Sequence, residues 1–112
     1  ATGALLPVNL PNAGGALPGF SEETVVEVWC TVDRSGFHST PQKPLPLSVL
    51  GITQQLAEYQ ILAAKAGWEG NRADGIRALV ANPLVDNLVV AEELYDEMAA
   101  AHKQYLPSRL LQ

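Results

Sequence analysis

Alternating apolar and polar positions predict one clear β-strand in the first third of the chain. Residues 24–32 read TVVEVWCTV, which is rich in the β-branched side chains that favour strands. A period of two puts one set of these residues on the expected core face: Thr24, Val26, Val28, Cys30 and Val32. Residues 33–36 form a predicted turn and residues 37–40 a short return strand, so we expect a β-hairpin over residues 24–40.

Three helices are predicted beyond the hairpin, between residues 47 and 107. Apolar residues three or four positions apart make one helical stripe over residues 47–66: Val49, Ile52, Leu56, Tyr59, Ala63 and Ala66. The second helix is expected to start after an N-cap at Asn71 and to reach Ala81 before Pro83. The third should run from residue 87 or 88 to about 105 and end before Pro107. Its predicted stripe contains Ala91, Leu94, Met98, Ala101 and Tyr105.

The first twenty residues show neither a helical nor a strand period, because three prolines and four glycines interrupt them. We therefore expect an extended loop over residues 1–20, resting on other structure because it is apolar. The predicted fold class is α+β: a Gly/Pro-rich loop, a β-hairpin and then three helices. Residues 1–112 are interpreted as a single domain or as a fragment of a longer protein.

Composition and charge narrow the class of protein. The 112 residues have a mass of 12.0 kDa with 47% hydrophobic and 17% charged residues, which suits a globular domain. A net charge of −5 disfavours nucleic acid and anionic membranes as partners. No segment has the length of a membrane span, and the start lacks the charge of a signal peptide. Because Cys30 is the only cysteine, no internal disulfide can form, and this is consistent with a cytoplasmic location.

No group of residues in the chain has the spacing of a catalytic, cofactor or metal site. The Gly14–Gly15 pair lacks the strand and the helix that flank a phosphate-binding loop. His38, His102 and Cys30 are not spaced as metal ligands. A Cys30–His38 pair across the hairpin would make a thiol enzyme, which we keep as a remote alternative. The acidic residues of the third helix are interpreted as a solvated face: Glu92, Glu93, Asp96 and Glu97.

Six short stretches, taken in order, resemble the C-terminal part of the family 4 glycoside hydrolases. They are VNLPN (8–12), GALPGF (15–20), VVEV (25–28), EYQ (58–60), NPLV (82–85) and LYDEM (94–98). Members of this family are NAD- and divalent-metal-dependent phospho-glycosidases related in fold to lactate and malate dehydrogenases. The resemblance extends from about residue 7 to 107 and is strongest to the 6-phospho-β-glucosidases. Two departures are an extra residue between Asn12 and Leu17, and Trp29 where the family has a proline.

The resemblance implies a longer parent enzyme that hydrolyses 6-phospho-glucosides by NAD-dependent redox and elimination. The dinucleotide-binding domain, the metal ligands and the catalytic tyrosine would all precede Ala1, so no catalytic, cofactor-binding or metal-binding residue is assigned to this chain. NAD and a divalent metal, with manganese expected, belong to the parent, and the isolated chain is predicted to bind neither and to be inactive. The resemblance implies that only the loop over residues 9–15 of this chain lies near the substrate. Its candidate residues are Asn9, Asn12, Gly14 and Gly15.

The expected partners follow from the same resemblance. The parent would act on a phosphorylated disaccharide or glucoside, in the cytoplasm, as a homo-oligomer whose packing uses a helix face of this chain. The alternative is a non-enzymatic module for oligomerisation or protein interaction. Exposed Trp29 or Trp68 and an uncovered apolar N-terminal segment would favour that alternative.

Overall fold

A computed structural model describes residues 3–112, and it divides the chain into two compact units, residues 1–50 and 51–112. Three strands come first: β1 (Ala4–Pro11), β2 (Val25–Asp33) and β3 (Gly36–Ser39). Three helices follow: α1 (Leu47–Trp68), α2 (Arg72–Ala81) and α3 (Leu88–His102), with a final 3-10 turn at Ser108–Leu110. The predicted α+β class is confirmed.

The first unit is built on an antiparallel sheet with the strand order β1-β2-β3. Val26, Val28 and Cys30 are buried on one face of β2, and Val8, Leu10, Leu17 and Val32 pack against them. This is the core face that the alternation predicted. The hairpin is also confirmed, since Asp33 pairs with Gly36 across a two-residue turn.

The extended loop expected over residues 1–20 is wrong for β1, which pairs with β2 along its whole length. Pro7 and Pro11 are accommodated because β1 is an edge strand, where a missing N–H can face away from the sheet. Leu6, Val8 and Leu10 alternate with Pro7, Asn9 and Pro11, so the sequence has the two-residue period of a strand although two of these positions are prolines. Residues 12–20 are irregular, as expected.

The predicted helix starts are confirmed by their caps. Asn71 and Asp74 form a reciprocal capping box at the start of α2, with each side chain accepting from the backbone N–H of the other residue at 3.2 and 3.0 Å. Asn87 caps α3 by accepting from the backbone N–H of Val90 at 3.1 Å. The helix ends differ from expectation: α1 reaches Trp68, and α3 stops at His102, before residue 105.

The helical unit packs α2 against α3 through small residues. Ala78 on α2 and Ala91 and Ala99 on α3 are buried. Gly75 lies so close to Tyr95 that an added Cβ would stand 2.1 Å from the tyrosine Cε2. Of the stripe predicted for α3, only Ala91 is buried, and the other buried residue of this helix is Ala99, one position beyond Met98. Met98, from the predicted stripe, remains 52% exposed.

The C-terminal segment is attached to the end of α1 by one side chain. The Arg109 guanidinium donates to the carbonyl oxygens of Gly67, Trp68 and Gly70 at 2.8, 2.9 and 2.5 Å, and more weakly to that of Ala66 at 3.3 Å. Gly67 and Trp68 are the last two residues of α1, where a helix end leaves carbonyl groups without intrahelical partners. The Tyr95 hydroxyl donates to the Leu110 carbonyl at 2.9 Å. Within residues 3–112, no helix combines the length and the apolarity needed to cross a bilayer.

Candidate functional site

The loop that follows β1, residues 12–20, is organised around Asn12. This side chain is fully buried, and its amide Nδ2 donates to the carbonyl oxygens of Leu17 at 3.0 Å and Phe20 at 3.1 Å. Its Oδ1 accepts from the backbone N–H of Leu17 at 2.8 Å. The Asn12 backbone N–H donates to Thr24 at 2.9 Å, at the start of β2. One residue therefore holds both the loop and its junction with the sheet.

The other three residues predicted to be near substrate lie on the surface of this region. Asn9 is exposed on β1, and Gly14 and Gly15 are exposed at the loop tip. Both glycines have positive φ angles, 75° and 68°, which any larger residue would adopt only with strain. No atom lies within 4 Å of where their Cβ atoms would be, so the backbone here is open to an approaching molecule. Asn12 points inward instead, with its amide already hydrogen-bonded.

The sheet face opposite the core carries a mixture of apolar and polar side chains, and we call it the outer face. Pro7 pairs with Trp29 and Asn9 pairs with Glu27 across β1 and β2. Trp29 is 50% exposed, and the other three are exposed as well. Neither the Asn9 nor the Glu27 side chain forms a hydrogen bond or ion pair within residues 3–112. Leu5 and Val25 lie exposed on the same face, so the outer face presents a largely apolar surface around two polar side chains.

The hairpin tip brings Asp33, Ser35 and His38 together, but not as a catalytic triad. The Ser35 hydroxyl donates to Asp33 Oδ1 at 2.6 Å, so its proton is already committed. His38 Nε2 lies 2.7 Å from Ser35 Oγ and 3.3 Å from that same Asp33 oxygen. A triad instead needs the carboxylate on the other ring nitrogen. Hydrogen bonds from Ser35 lower the pKa of Asp33. The three side chains therefore stabilise the hairpin turn.

The remote alternative of a Cys30–His38 nucleophilic pair is wrong. Cys30 pairs with Ser39 across the hairpin, whereas His38 pairs with Thr31. Successive strand residues point to opposite faces, so the thiol and the imidazole are separated by the sheet. Cys30 is fully buried, and its Sγ lies 3.6 Å from the Val28 carbonyl oxygen.

The acidic residues of α3 do not form a pair of catalytic carboxylates. Asp96 makes a bidentate ion pair with Arg72 of α2, at 2.8 and 2.7 Å, and these hydrogen bonds lower its pKa. The three glutamates of the group are exposed, as a solvated face predicts: Glu92, Glu93 and Glu97. The helical unit instead contains an apolar cavity of about 320 Å³, with Ala66, Gly75, Ala78 and Ala99 among its lining.

The described residues do not fit a metal or a dinucleotide. Within residues 3–112, no group of three His, Cys, Asp or Glu side chains converges to ligate a metal ion. The Gly14–Gly15 turn follows a strand, but β2 and not a helix comes next, so it lacks the helix N-terminus that receives a phosphate.

Comparison with known proteins gives a consistent family. The model for the family 4 glycosyl hydrolase C-terminal domain matches residues 2–85. A probable 6-phospho-beta-glucosidase of Bacillus subtilis is 38% identical over 101 residues, which are 90% of this chain and 23% of that protein. The 6-phospho-beta-glucosidase of Escherichia coli is 31% identical over 104 residues, covering 90% of this chain and 22% of its own length.

Solved structures agree on the fold. A 6-phospho-alpha-glucosidase from gut microorganisms, solved with NAD and glucose-6-phosphate, superposes with a TM-score of 0.87 at 25% identity, over 98% of this chain and 24% of that one. The 6-phospho-beta glucosidase from Thermotoga maritima, also solved with NAD and glucose-6-phosphate, gives a TM-score of 0.84 at 23% identity, over 96% of this chain and 26% of its own. The chain spans about a quarter of these proteins.

Proposed function

The chain belongs to the family 4 glycosyl hydrolases, through their C-terminal domain, and we propose that it is the C-terminal part of a longer phospho-glycosidase. The parent would hydrolyse 6-phospho-glucosides, with the β-linked ones preferred, by an NAD-dependent redox and elimination reaction. The observation that carries this proposal is the family match over residues 2–85, together with relatives named as 6-phospho-glucosidases. NAD and manganese would be bound by the parent, outside this chain.

In this proposal the 112-residue chain contributes structure and one loop surface but no catalytic group. Asn9, Gly14 and Gly15 would lie near the substrate, and Asn12 would hold the loop that carries the two glycines. The isolated chain should therefore be inactive on any phospho-glucoside.

We also propose that the parent is a cytoplasmic homo-oligomer. Support for the oligomer comes from apolar side chains left uncovered in the helical unit, such as Leu84 between α2 and α3, which is 88% exposed, and Trp68 at the end of α1, which is 85% exposed. Surface of this kind usually marks an interface. The single, buried and unpaired Cys30 is consistent with a reducing compartment. The same uncovered surface supports the second candidate function, a non-enzymatic interaction or oligomerisation module.

One experiment separates the two functions. An antibody against this chain is used to recover the native polypeptide, whose intact mass is measured and whose activity is assayed with chromogenic 6-phospho-α- and 6-phospho-β-glucosides, NAD and Mn²⁺. We expect a polypeptide several-fold heavier than 12.0 kDa that hydrolyses the β-linked substrate. A native mass of 12.0 kDa, or a longer polypeptide inert toward both substrates, would favour the interaction module. NAD-dependent turnover by the isolated chain would contradict its predicted inactivity.

The proposed role of the loop has its own test in the parent enzyme. Gly15→Ala puts a methyl group on a residue with a φ of 68° at the loop tip, and it should raise KM for the phospho-glucoside. Gly36→Ala is the matched control, because Gly36 also has a positive φ, 124°, but lies in the hairpin turn. We expect Gly36→Ala to leave KM unchanged. Equal effects of the two substitutions on KM would show that the loop tip has no special relation to substrate.

A further inference from the structure

We infer that the outer edge of β1, the side of the strand turned away from β2, is closed to strand addition. Neither a second copy of this chain nor a strand of a longer parent can extend the sheet there. Pro7 and Pro11 close the edge, because each removes an N–H group that an added strand would need. Copies that associate, as the proposed function includes, must therefore use another surface.

The register of β1 with β2 determines which backbone groups face outward. Asn12, directly after β1, donates its backbone N–H to the Thr24 carbonyl at 2.9 Å, and the pairs along β1 and β2 keep this register. Hydrogen-bonded and non-hydrogen-bonded pairs alternate along an antiparallel ladder. The even-numbered residues of β1 therefore bond to β2, and the backbone groups of the odd-numbered residues face the outer edge. These are Leu5, Pro7, Asn9 and Pro11.

Proline occupies every second outward position of β1. Only Leu5 and Asn9 carry an N–H there, and Pro7 lies between them. Within β1, no two successive outward positions therefore both have a donor, and a strand laid along this edge would leave its own carbonyl oxygens without partners. At Pro7 and Pro11 the ring Cδ also occupies the place of the amide hydrogen, which keeps the carbonyl of an added strand at a distance.

Without the two prolines, this edge would favour pairing. β1 is eight residues long, and among residues 3–112 no strand lies on its outer side. Leu5, Val25 and Trp29 on the adjoining outer face are at least half exposed, so a copy joined at the edge would also cover apolar surface. Long edge strands beside apolar surface are the places where sheets join edge to edge. β3, at the other edge of the sheet, is only four residues long, which itself limits pairing.

Amide exchange in the ¹⁵N-labelled full chain tests which backbone groups remain free. The Asn9 N–H faces outward, whereas those of Val8 and Leu10 belong to the ladder with β2. We expect the Asn9 amide to exchange about 100-fold faster than the amides of Val8 and Leu10. Raising the protein concentration from about 10 μM to about 1 mM should leave the Asn9 rate unchanged, because no second copy pairs with this edge.

Restoring the two donors should open the edge. In the double variant Pro7→Val/Pro11→Val, every outward position of β1 carries an N–H, and the substituted side chains stay apolar. We expect two copies to pair through β1 about a two-fold axis, so that exchange at Asn9 slows as the concentration rises. A dissociation constant of about 0.3 mM would slow it about threefold at about 1 mM protein.

Two controls separate the N–H groups from the change of side chain. Because Cys30 is the only cysteine, synthetic residues 1–29 can be ligated to residues 30–112 and the product refolded, with N-methylvaline at both proline positions. N-methylvaline has the valine side chain but no N–H, so exchange at Asn9 should stay independent of concentration. Pro18→Val, in the exposed part of the loop in the same unit, adds a valine and an N–H away from the edge and should also have no effect.

Three results would overturn the inferred closure of the edge. They are Asn9 exchange that slows with concentration in the unmodified chain, Asn9 exchange that ignores concentration in the double variant, and equal slowing with N-methylvaline. Slow exchange at Val8 and Leu10 shows in each variant that β1 still pairs with β2. If the double variant loses that protection, Pro11→Val alone takes its place, because it gives Asn9 a neighbouring donor at the end of the strand.

Discussion

Replacing Asn12 should destabilise the sheet unit more than any change at a surface asparagine. Asn12→Ala removes three hydrogen bonds, of 2.8, 3.0 and 3.1 Å, that this buried amide makes with the backbone of its loop. A net loss of about 1 kcal/mol for each bond gives about 3 kcal/mol, and groups left buried without a partner add to it. That is a large share of the 5–15 kcal/mol typical of a small domain.

The assay is urea denaturation followed by the fluorescence of Trp29, which lies in the sheet unit. Trp68 is replaced by Phe in every variant so that the helical unit contributes no signal. Asn9→Ala is the matched control, because Asn9 is exposed and its side chain makes no hydrogen bond within residues 3–112. We expect that control to change the free energy of unfolding by less than about 0.5 kcal/mol.

Asn12→Asp separates hydrogen bonding from packing, since the two side chains have nearly the same shape. The introduced carboxylate can still accept from the backbone N–H of Leu17, but when ionised it faces two carbonyl oxygens without a donor. We expect it to destabilise at least as much as Asn12→Ala at pH 7, and less at a pH low enough to protonate it. If Asn12→Ala cost under about 0.5 kcal/mol, the role assigned to this side chain would be wrong.

Three further predictions concern the helical unit. Gly75→Ala should destabilise it by about 1–3 kcal/mol in thermal or urea melts, because the new methyl group collides with a tyrosine ring. Gly51→Ala, in α1 with open space around it, should be neutral or stabilising, and equal effects at the two sites would refute the packing argument. Arg109→Ala should cost about 2 kcal/mol, because it uncaps α1; an unchanged melting temperature would contradict this. Because an ion pair lowers the pKa of Asp96 in the folded state, its contribution to stability is present above about pH 4 and is lost as pH falls. The difference in unfolding free energy between Asp96→Asn and the unmodified chain should therefore be largest near pH 7 and shrink as pH falls below about 4, and a difference that did not shrink in acid would contradict the linkage.

The elements that could be predicted are those specified by neighbouring residues. The alternation in β2 identifies its buried face by itself, and Asn71 and Asn87 mark helix starts through bonds to residues three positions on. β1 was missed because two prolines hide its alternation, and its status as an edge strand depends on a partner fourteen or more residues away.

The site was harder to predict because its interactions join residues that are far apart in the sequence. Asn12 was expected to lie near the substrate, and its amide is hydrogen-bonded within the loop. The capping role of Arg109 could not be predicted from neighbouring residues, because the carbonyls to which it donates lie about 40 residues earlier in the chain. Asn9 and Glu27 become neighbours only through the register of β1.

α1 shows why the stability of this chain and the assembly of its parent are linked. Of its 22 residues only Ala66 is buried, and Ile52 of the predicted stripe remains 54% exposed. A helix of this length gains most of its stability from packing an apolar face, so a stripe left uncovered weakens it. If the chain is part of a longer enzyme, α1 should exchange its amide hydrogens far more slowly in the parent than in the isolated 112 residues. Equal exchange in the two would mean that neither the rest of the parent nor another copy covers this stripe.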